Sequence, residues 1–266
     1  MNIAIIGTGN LGRSIAQGLA SNGKITSLYL TRRNINALQG FKDNPNTVIT
    51  ADNVLAVQHS EVIILAIQPA HAKNVFKEIK PHIDDNHTII STITGLSLAD
   101  IETELGKDTP IIRAMPNTAI SVGESMTCLC ANSNGKQKMS IAKSIFNSLG
   151  DSLEINENLM QAATVVCASG IAFWMRLIRA STQAAIQLGF EAKEAQHLAM
   201  HTCYGAASLL IKNGDHPEQE IDKVTTPRGC TIEGLNEMEH QGLSSSLIHG
   251  MVASFNKINA IKEKQL

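Results

Sequence analysis

The sequence has no CxxC pair, no run of basic residues, no aromatic-rich basic patch, no internal repeat and no low-complexity tract. Its five cysteines (Cys128, Cys130, Cys167, Cys203 and Cys230) are an odd number. That argues against a disulfide framework or a zinc site and suits reduced thiols in a cytosol. A formal net charge of -2 and a pI near 6.5 leave no electrostatic footprint for nucleic acid or an anionic membrane surface. The opening MNIAIIG has no basic segment ahead of its apolar run, so it reads as a strand and not as a signal peptide. The expected location is cytoplasmic.

Long hydrophobic runs are scarce as well. The nearest approach is Asn158–Met175, 18 residues without a charge. It is diluted by Asn158, Gln161, Thr164, Ser169 and Gly170, and Arg176 and Arg179 follow at once. A membrane span wants about 20 predominantly apolar residues. The segment reads instead as a helix buried on most sides, inside its domain or against another subunit. No membrane partner is expected.

What is present is a regular alternation. At 266 residues the chain has room for one or two domains with ample core. NIAIIG, ITSLYLT, TVITA, EVIILAI, HTIISTI and PIIRAMP are short strand-like runs. Helical periods lie among them in LGRSIAQGLASNG, from about Asp52, around AKNVFKEI and in LADIETEL. Strands alternating with amphipathic helices predict βαβ units and a parallel, doubly wound sheet. SMTCLCA and DSLEI extend it, with a helix near Lys136–Leu149 between them. Beyond about Asn156 the strand signals end and only helical periods remain. The expected fold is therefore an α/β Rossmann-type domain over residues 1–155, then an all-α domain over 156–266, with no flexible linker.

Gly7-Thr8-Gly9-Asn10-Leu11-Gly12 has the GxGxxG spacing directly after a strand and at the opening of a helix. Gly7 permits the tight turn, Gly9 lets the backbone approach a pyrophosphate, and Gly12 lets helix and strand pack closely. The helix start adds free N–H groups, those of Asn10 and Leu11 among them, and a positive dipole end. A site for NAD places an acid about 20 residues past such a loop. Here the second strand ends in Thr31-Arg32-Arg33, with Arg32 20 residues after Gly12. Guanidinium groups suit a 2′-phosphate by charge and bidentate geometry. The other reading of Arg32 and Arg33 is a pair of solvated surface residues. NADP, used as NADPH with NADH possible, is the cofactor this pattern favours.

In the helical half, Val224-Thr-Thr-Pro-Arg-Gly-Cys-Thr-Ile232 interrupts the helical pattern with a small, glycine-bearing turn. This stretch, the GTGNLG loop, the Asn53 region with QHSEVIILAIQP, and Ile111-Ile-Arg-Ala-Met-Pro-Asn-Thr-Ala119 together resemble pyrroline-5-carboxylate reductases over nearly the whole chain. Ala168-Ser-Gly-Ile-Ala172 matches weakly. The resemblance implies reduction of a cyclic imino acid, pyrroline-5-carboxylate, to proline with NAD(P)H. It also implies a homodimer or higher homo-oligomer whose interlocked helices bring the turn of one chain to a nicotinamide. It places Asn53, Ala66, Gln68 and Pro69 along the cofactor, with Asn53 near the adenosine, and Met115, Pro116 and Asn117 beside the nicotinamide. Gly229 and Cys230 would offer N–H groups to the substrate carboxylate, with Thr226 assisting. Thr231, the catalytic candidate, would set its hydroxyl near the ring nitrogen. Read without the resemblance, Thr226 and Thr231 are helix caps.

The sequence departs from the family pattern in four places. Arg228 stands where glycine is usual, Gln68 where lysine is, Ile171 where proline is, and Arg179 where an acid is. Arg228 could strengthen carboxylate binding or face solvent. Arg176 and Arg179 could line the site or form a salt bridge within a helical dimer. A reductase of a different cyclic imine and a non-catalytic NADP-binding regulator are the competing readings. His197 and His201 in HLAMH share a helix face without the glutamate that zinc enzymes carry after the first histidine, so no metal is expected. Asp100, Glu102 and Glu104 read as a solvated helix face.

Overall fold

A computed structural model describes residues 1–20, 23 and 25–265, with side chains described through residue 260. The chain divides into two compact units, residues 1–169 with the segment from Phe255 onward, and Gly170–Ser254.

The first unit is built on eight strands: β1 Asn2–Ile6, β2 Ser27–Thr31, β3 Thr47–Thr50, β4 Val62–Leu65, β5 Thr88–Ser91, β6 Ile111–Met115, β7 Ser125–Ala131 and β8 Gly150–Glu154. Their order across the sheet is β3-β2-β1-β4-β5-β6-β7-β8. The first six strands are parallel. Helices α1 (Asn10–Ala20), α2 (Asn53–Gln58), α3 (Pro69–Ile79) and α4 (Leu98–Leu105) connect them, and α5 (Ser133–Gln137) and α6 (Met139–Phe146) precede β8. The end of the first helical stretch, residues 21 and 22, lies outside the described residues.

The continuous apolar strands follow from this layering, because a sheet covered on both faces buries every side chain. Ile3 and Ile5 of β1 enter a core with Ile15, Leu19 and Phe146, while Ala4 and Ile6 enter a second core with Phe76 and Ile101. The same alternation divides Val62 and Ile64 from Ile63 and Leu65 on β4. Two strands extend the sheet as expected, but β7 runs antiparallel to β6. The connection over residues 116–124 is a short 3₁₀ turn, Thr118–Val122, and a parallel return needs a crossover of about a dozen residues or more.

The acidic row of α4 does structural work that a solvated face would not. Asp100 accepts from the Ser97 N–H at 2.7 Å in a capping box, and Glu102 accepts from Asn132 at 2.9 Å. The compact units meet at residues 169 and 170, later than the expected 155 and 156. Met160 and Ala163, on the short helix α7 (Met160–Ala163), belong to the core that contains Phe76. A π-helical stretch, Thr164–Ser169, follows.

The second unit contains α8 (Gly170–Gln187), α9 (Ala192–Asn213), α10 (Pro217–Val224) and α11 (Cys230–His240), and α12 (Leu243–Gln265) begins in it. The helical run Glu157–Gln187 is long and apolar enough to cross a membrane by length and composition, yet only 17% of its most apolar window is buried within the chain. Of α8 only Gly170 and Thr182 are buried, whereas Trp174 and Met175 are more than half exposed. Burial inside the domain, one of the two expectations for this segment, therefore holds for Met160, Ala163, Thr164 and Val165 but not for Trp174 and Met175.

Candidate active site

The C-terminal ends of β1 and β4 sit side by side where the strand order reverses, the place at which open α/β sheets bind ligands. A cavity of about 650 Å³ opens there. Gly7, Gly9, Arg32, Arg33, Asn53, Ala66 and Gln68 line it, all of them expected from the sequence.

The glycine loop is shaped by contact. Gly7 has φ +89°, and a Cβ there would collide with Ile67 and come within 2.8 Å of the Ala66 carbonyl. A Cβ on Gly12 would meet the Gly7 carbonyl at 2.6 Å, whereas one on Gly9 would meet nothing within 4 Å. Two glycines thus close the turn against β4 and the helix, and the third leaves the cavity side open. Arg13 N–H is the first of α1 to find a loop carbonyl, that of Gly9 at 2.9 Å. Those of Asn10, Leu11 and Gly12 fall in the first turn, which has no intrahelical acceptors. Free N–H groups at a helix start beside an open cavity suit a pyrophosphate.

The end of β2 locks the loop in place. Thr8 N–H donates to the Thr31 carbonyl at 2.9 Å, and Arg32 Nη1 donates to the Thr8 carbonyl at 3.1 Å. Thr31 Oγ1 donates to Asn53 Oδ1 at 2.6 Å, and Asn53 Nδ2 donates to Glu78 Oε2 at 3.0 Å. Asn53 is thereby a fixed wall and Glu78 the lone carboxylate among the lining residues. Arg33 Nη2 lies 3.3 Å from His71 Nε2. His71, Asn34, Asn74 and Glu78 line the cavity without a sequence signal of their own. They come from successive turns of α3 and the loop after β2, and only the fold brings them together.

The remaining cofactor candidates lie outside this cavity. Pro69 is the first residue of α3. Met115, at the end of β6, is buried in the core with Cys128 and Met160. Asn117 has its side chain committed to structure, accepting from Ala119 N–H at 2.9 Å and donating to the Cys167 carbonyl at 3.2 Å. Cys167 Sγ is 3.7 Å from Cys128 Sγ. That contact holds the Cys167 thiol down to about 7, while hydrogen bonding and burial push the Cys128 thiol up.

The substrate candidates occupy the turn between α10 and α11 in the second unit. Helix α10 ends at Val224, before Pro227, with Thr225 extended as its C-cap. Gly229 is the N-cap of α11 and makes no side-chain cap bond. Two sequence readings change here. Thr226 and Thr231 do not cap the helix, since the cap position is Gly229 and Thr231 lies inside the first turn. Gly229 N–H is not free for a carboxylate, because it donates to the Thr226 carbonyl at 2.9 Å and so closes the turn. The free first-turn donors are those of Cys230, Thr231 and Ile232. A Cβ on Gly229 would come within 2.5 Å of Thr226 Oγ1, so the turn admits only glycine without shifting. Arg228 is the one non-glycine residue with positive φ, +59°, among those described. Left-handed backbone disfavours a side chain, which accounts for the glycine usual in the resembling family. The His197 and His201 ring centroids lie 4.4 Å apart with the planes tilted by 49°, and no group of three or more metal-binding side chains occurs among the described residues.

Two family profiles match the chain: "Pyrroline-5-carboxylate reductase dimerisation" over residues 157–261 and "NADP oxidoreductase coenzyme F420-dependent" over residues 2–95. Pyrroline-5-carboxylate reductase 2 of Dictyostelium discoideum is 42% identical over 96% of this chain and 91% of its own length. Pyrroline-5-carboxylate reductase 1 of the same organism is 43% identical, but the chain spans about half of it, 49%. Among solved structures, the Coxiella burnetii pyrroline-5-carboxylate reductase superposes with a TM-score of 0.90 at 31% identity, covering 97% of both chains. The Plasmodium falciparum pyrroline carboxylate reductase, solved with NADP bound, gives 0.87 at 26% identity, covering 98% of both.

Proposed function

Because the chain belongs to the pyrroline-5-carboxylate reductase family, we propose that it reduces pyrroline-5-carboxylate to L-proline with NADPH, the last step of proline biosynthesis. The observation that carries this reading is the presence, in one chain, of a glycine-loop cavity lined by Arg32 and Arg33 and a glycine-closed turn at the start of α11. Residues 1–155 serve the cofactor in this reading, and 156–266 serve substrate and assembly.

When bound, the reduced nicotinamide supplies a hydride to the imine carbon, which is electrophilic once its nitrogen is protonated. The chain's own part is positioning. First-turn N–H groups of α1 hold the pyrophosphate, and Arg32 and Arg33 hold the 2′-phosphate. The N–H groups of Cys230, Thr231 and Ile232 receive the substrate carboxylate. The exposed Thr231 hydroxyl orients the ring nitrogen and passes it a proton from water, being too weak an acid to donate strongly itself. Most of the rate then comes from holding two reactants together.

The helical region is a homo-oligomerisation domain by family. We assign the exposed apolar face that carries Trp174 and Met175 to the contact between subunits in at least a dimer, not to a membrane. Five free thiols support a reducing, cytoplasmic location. Steady-state NADPH oxidation with pyrroline-5-carboxylate and a panel of other cyclic imino acids tests the proposal, with proline identified as product. Turnover of another imine in preference to this one overturns the substrate. Cofactor binding without turnover of any imine would leave the non-catalytic regulator.

A further inference from the structure

His71 is the third residue of α3, and its backbone N–H is taken up by the Gln68 carbonyl at 2.9 Å. Its ring is what reaches the cavity. A guanidinium carries only donors, so the 3.3 Å approach of Arg33 Nη2 to His71 Nε2 is a hydrogen bond with the histidine nitrogen as acceptor. The ring proton then lies on Nδ1.

The two arginines at the end of β2 are thus fixed by different means. Arg32 is held by the glycine loop through the Thr8 carbonyl. Arg33 is exposed and long, and His71 is the partner its side chain makes. The choice of partner matters electrostatically. Glu78 lines the same cavity but is engaged by Asn53, and no ion pair joins it to Arg33 among the described residues. A carboxylate partner would position Arg33 and cancel its charge. A neutral imidazole positions it and leaves the charge available to an anion.

We propose that His71 is a positioning residue for Arg33 and thereby a determinant of selectivity for NADPH over NADH. This rests on the reading of the cavity as the NADP site. An arginine already held in place loses less rotamer freedom when phosphate binds, and that gain is felt only by a ligand with a 2′-phosphate.

The test is calorimetric binding of two probes, 2′,5′-ADP and 5′-AMP, to the full-length wild type, His71→Leu and His71→Gln. The wild type should bind 2′,5′-ADP more tightly. His71→Leu should weaken 2′,5′-ADP about 3–10-fold, the cost of ordering one long side chain on binding, and leave 5′-AMP unchanged. His71→Gln, whose side-chain oxygen accepts from Arg33 but cannot become a cation, should recover most of that loss. An unchanged affinity in His71→Leu, an equal loss for both probes, or no recovery with glutamine would each overturn the role of His71. A wild type that does not distinguish the probes would instead sink the NADP reading itself.

Discussion

Replacing Glu157 by alanine should destabilise the first unit severely, and more than replacing its partner. Glu157 Oε1 accepts from Arg113 Nη1 at 2.8 Å and from the Leu98 N–H, in the first turn of α4, at 2.6 Å. The Arg113 side chain is 8% exposed and that of Glu157 33%. Removing the carboxylate leaves a buried cation uncompensated, at a cost of about 3–5 kcal/mol, and strands one N–H, at about 1 kcal/mol. Replacing Arg113 by methionine is a different perturbation. The carboxylate can then be hydrated and still take the Leu98 N–H, while an apolar chain of similar length fills the buried space, so the cost should be about 1–2 kcal/mol. Urea denaturation at one fixed protein concentration measures both, since a subunit equilibrium makes stability depend on concentration. Equal losses, or a larger loss for Arg113→Met, would refute the argument that exposure decides which partner can be spared.

The other expectations concern the site. Arg33→Ala should abolish most of the NADPH preference, about 1.5–3 kcal/mol for one charge-assisted bond, whereas Arg32→Ala should weaken NADH as well, because its bond to Thr8 supports the loop; cofactor-dependent kcat/KM values decide. Thr231→Ala should lower turnover about 10²-fold or more without moving the denaturation midpoint, as its hydroxyl caps nothing, and unchanged turnover would remove Thr231 from the mechanism. Plain 1-pyrroline, which lacks the carboxylate, should be reduced at least about 10²-fold less efficiently than pyrroline-5-carboxylate, two bonds to a charged acceptor being worth about 3–6 kcal/mol; equal efficiency would sink the carboxylate turn. Arg228→Gly in that comparison should lower efficiency with the carboxylate substrate alone if the arginine contacts it, and leave both substrates unaffected if it faces solvent. Light scattering at micromolar concentration should give at least a dimer mass, and an active monomer would contradict the assignment of the exposed face of α8.

The parts of the site carried by backbone were legible because backbone geometry leaves its mark on neighbouring residues. The sheet could be read from NIAII, VIIL and TIIS, since two-sided burial demands unbroken apolar strands. The cradle could be read from Gly7 and Gly12, where a methyl group would strike the adjacent strand or the loop itself. Contacts between distant side chains left no such mark. Arg33 and His71 are 38 residues apart, and Arg113 and Glu157 are 44 apart. Nothing near either member in sequence names its partner. The face of α8 shows a third limit, for its apolar composition gives burial without saying against what.

The turn before α11 shows where a motif and its geometry part company. The resemblance to the family implies Gly229 as a donor to the substrate carboxylate. In the folded turn Gly229 serves the opposite end: its N–H closes the loop onto Thr226, and its missing side chain makes room for the Thr226 hydroxyl. The donors that remain are those every helix leaves unpaired, and the specificity of the motif lies in shaping the approach to them. Arg228 fits this account without being required by it. A residue at φ +59° costs about 1–2 kcal/mol if it has a side chain, a cost that glycine at this position avoids. An arginine kept in a conformation that penalises it, beside the N–H groups proposed to receive the substrate carboxylate, is the departure from the family pattern with the most direct route to substrate preference.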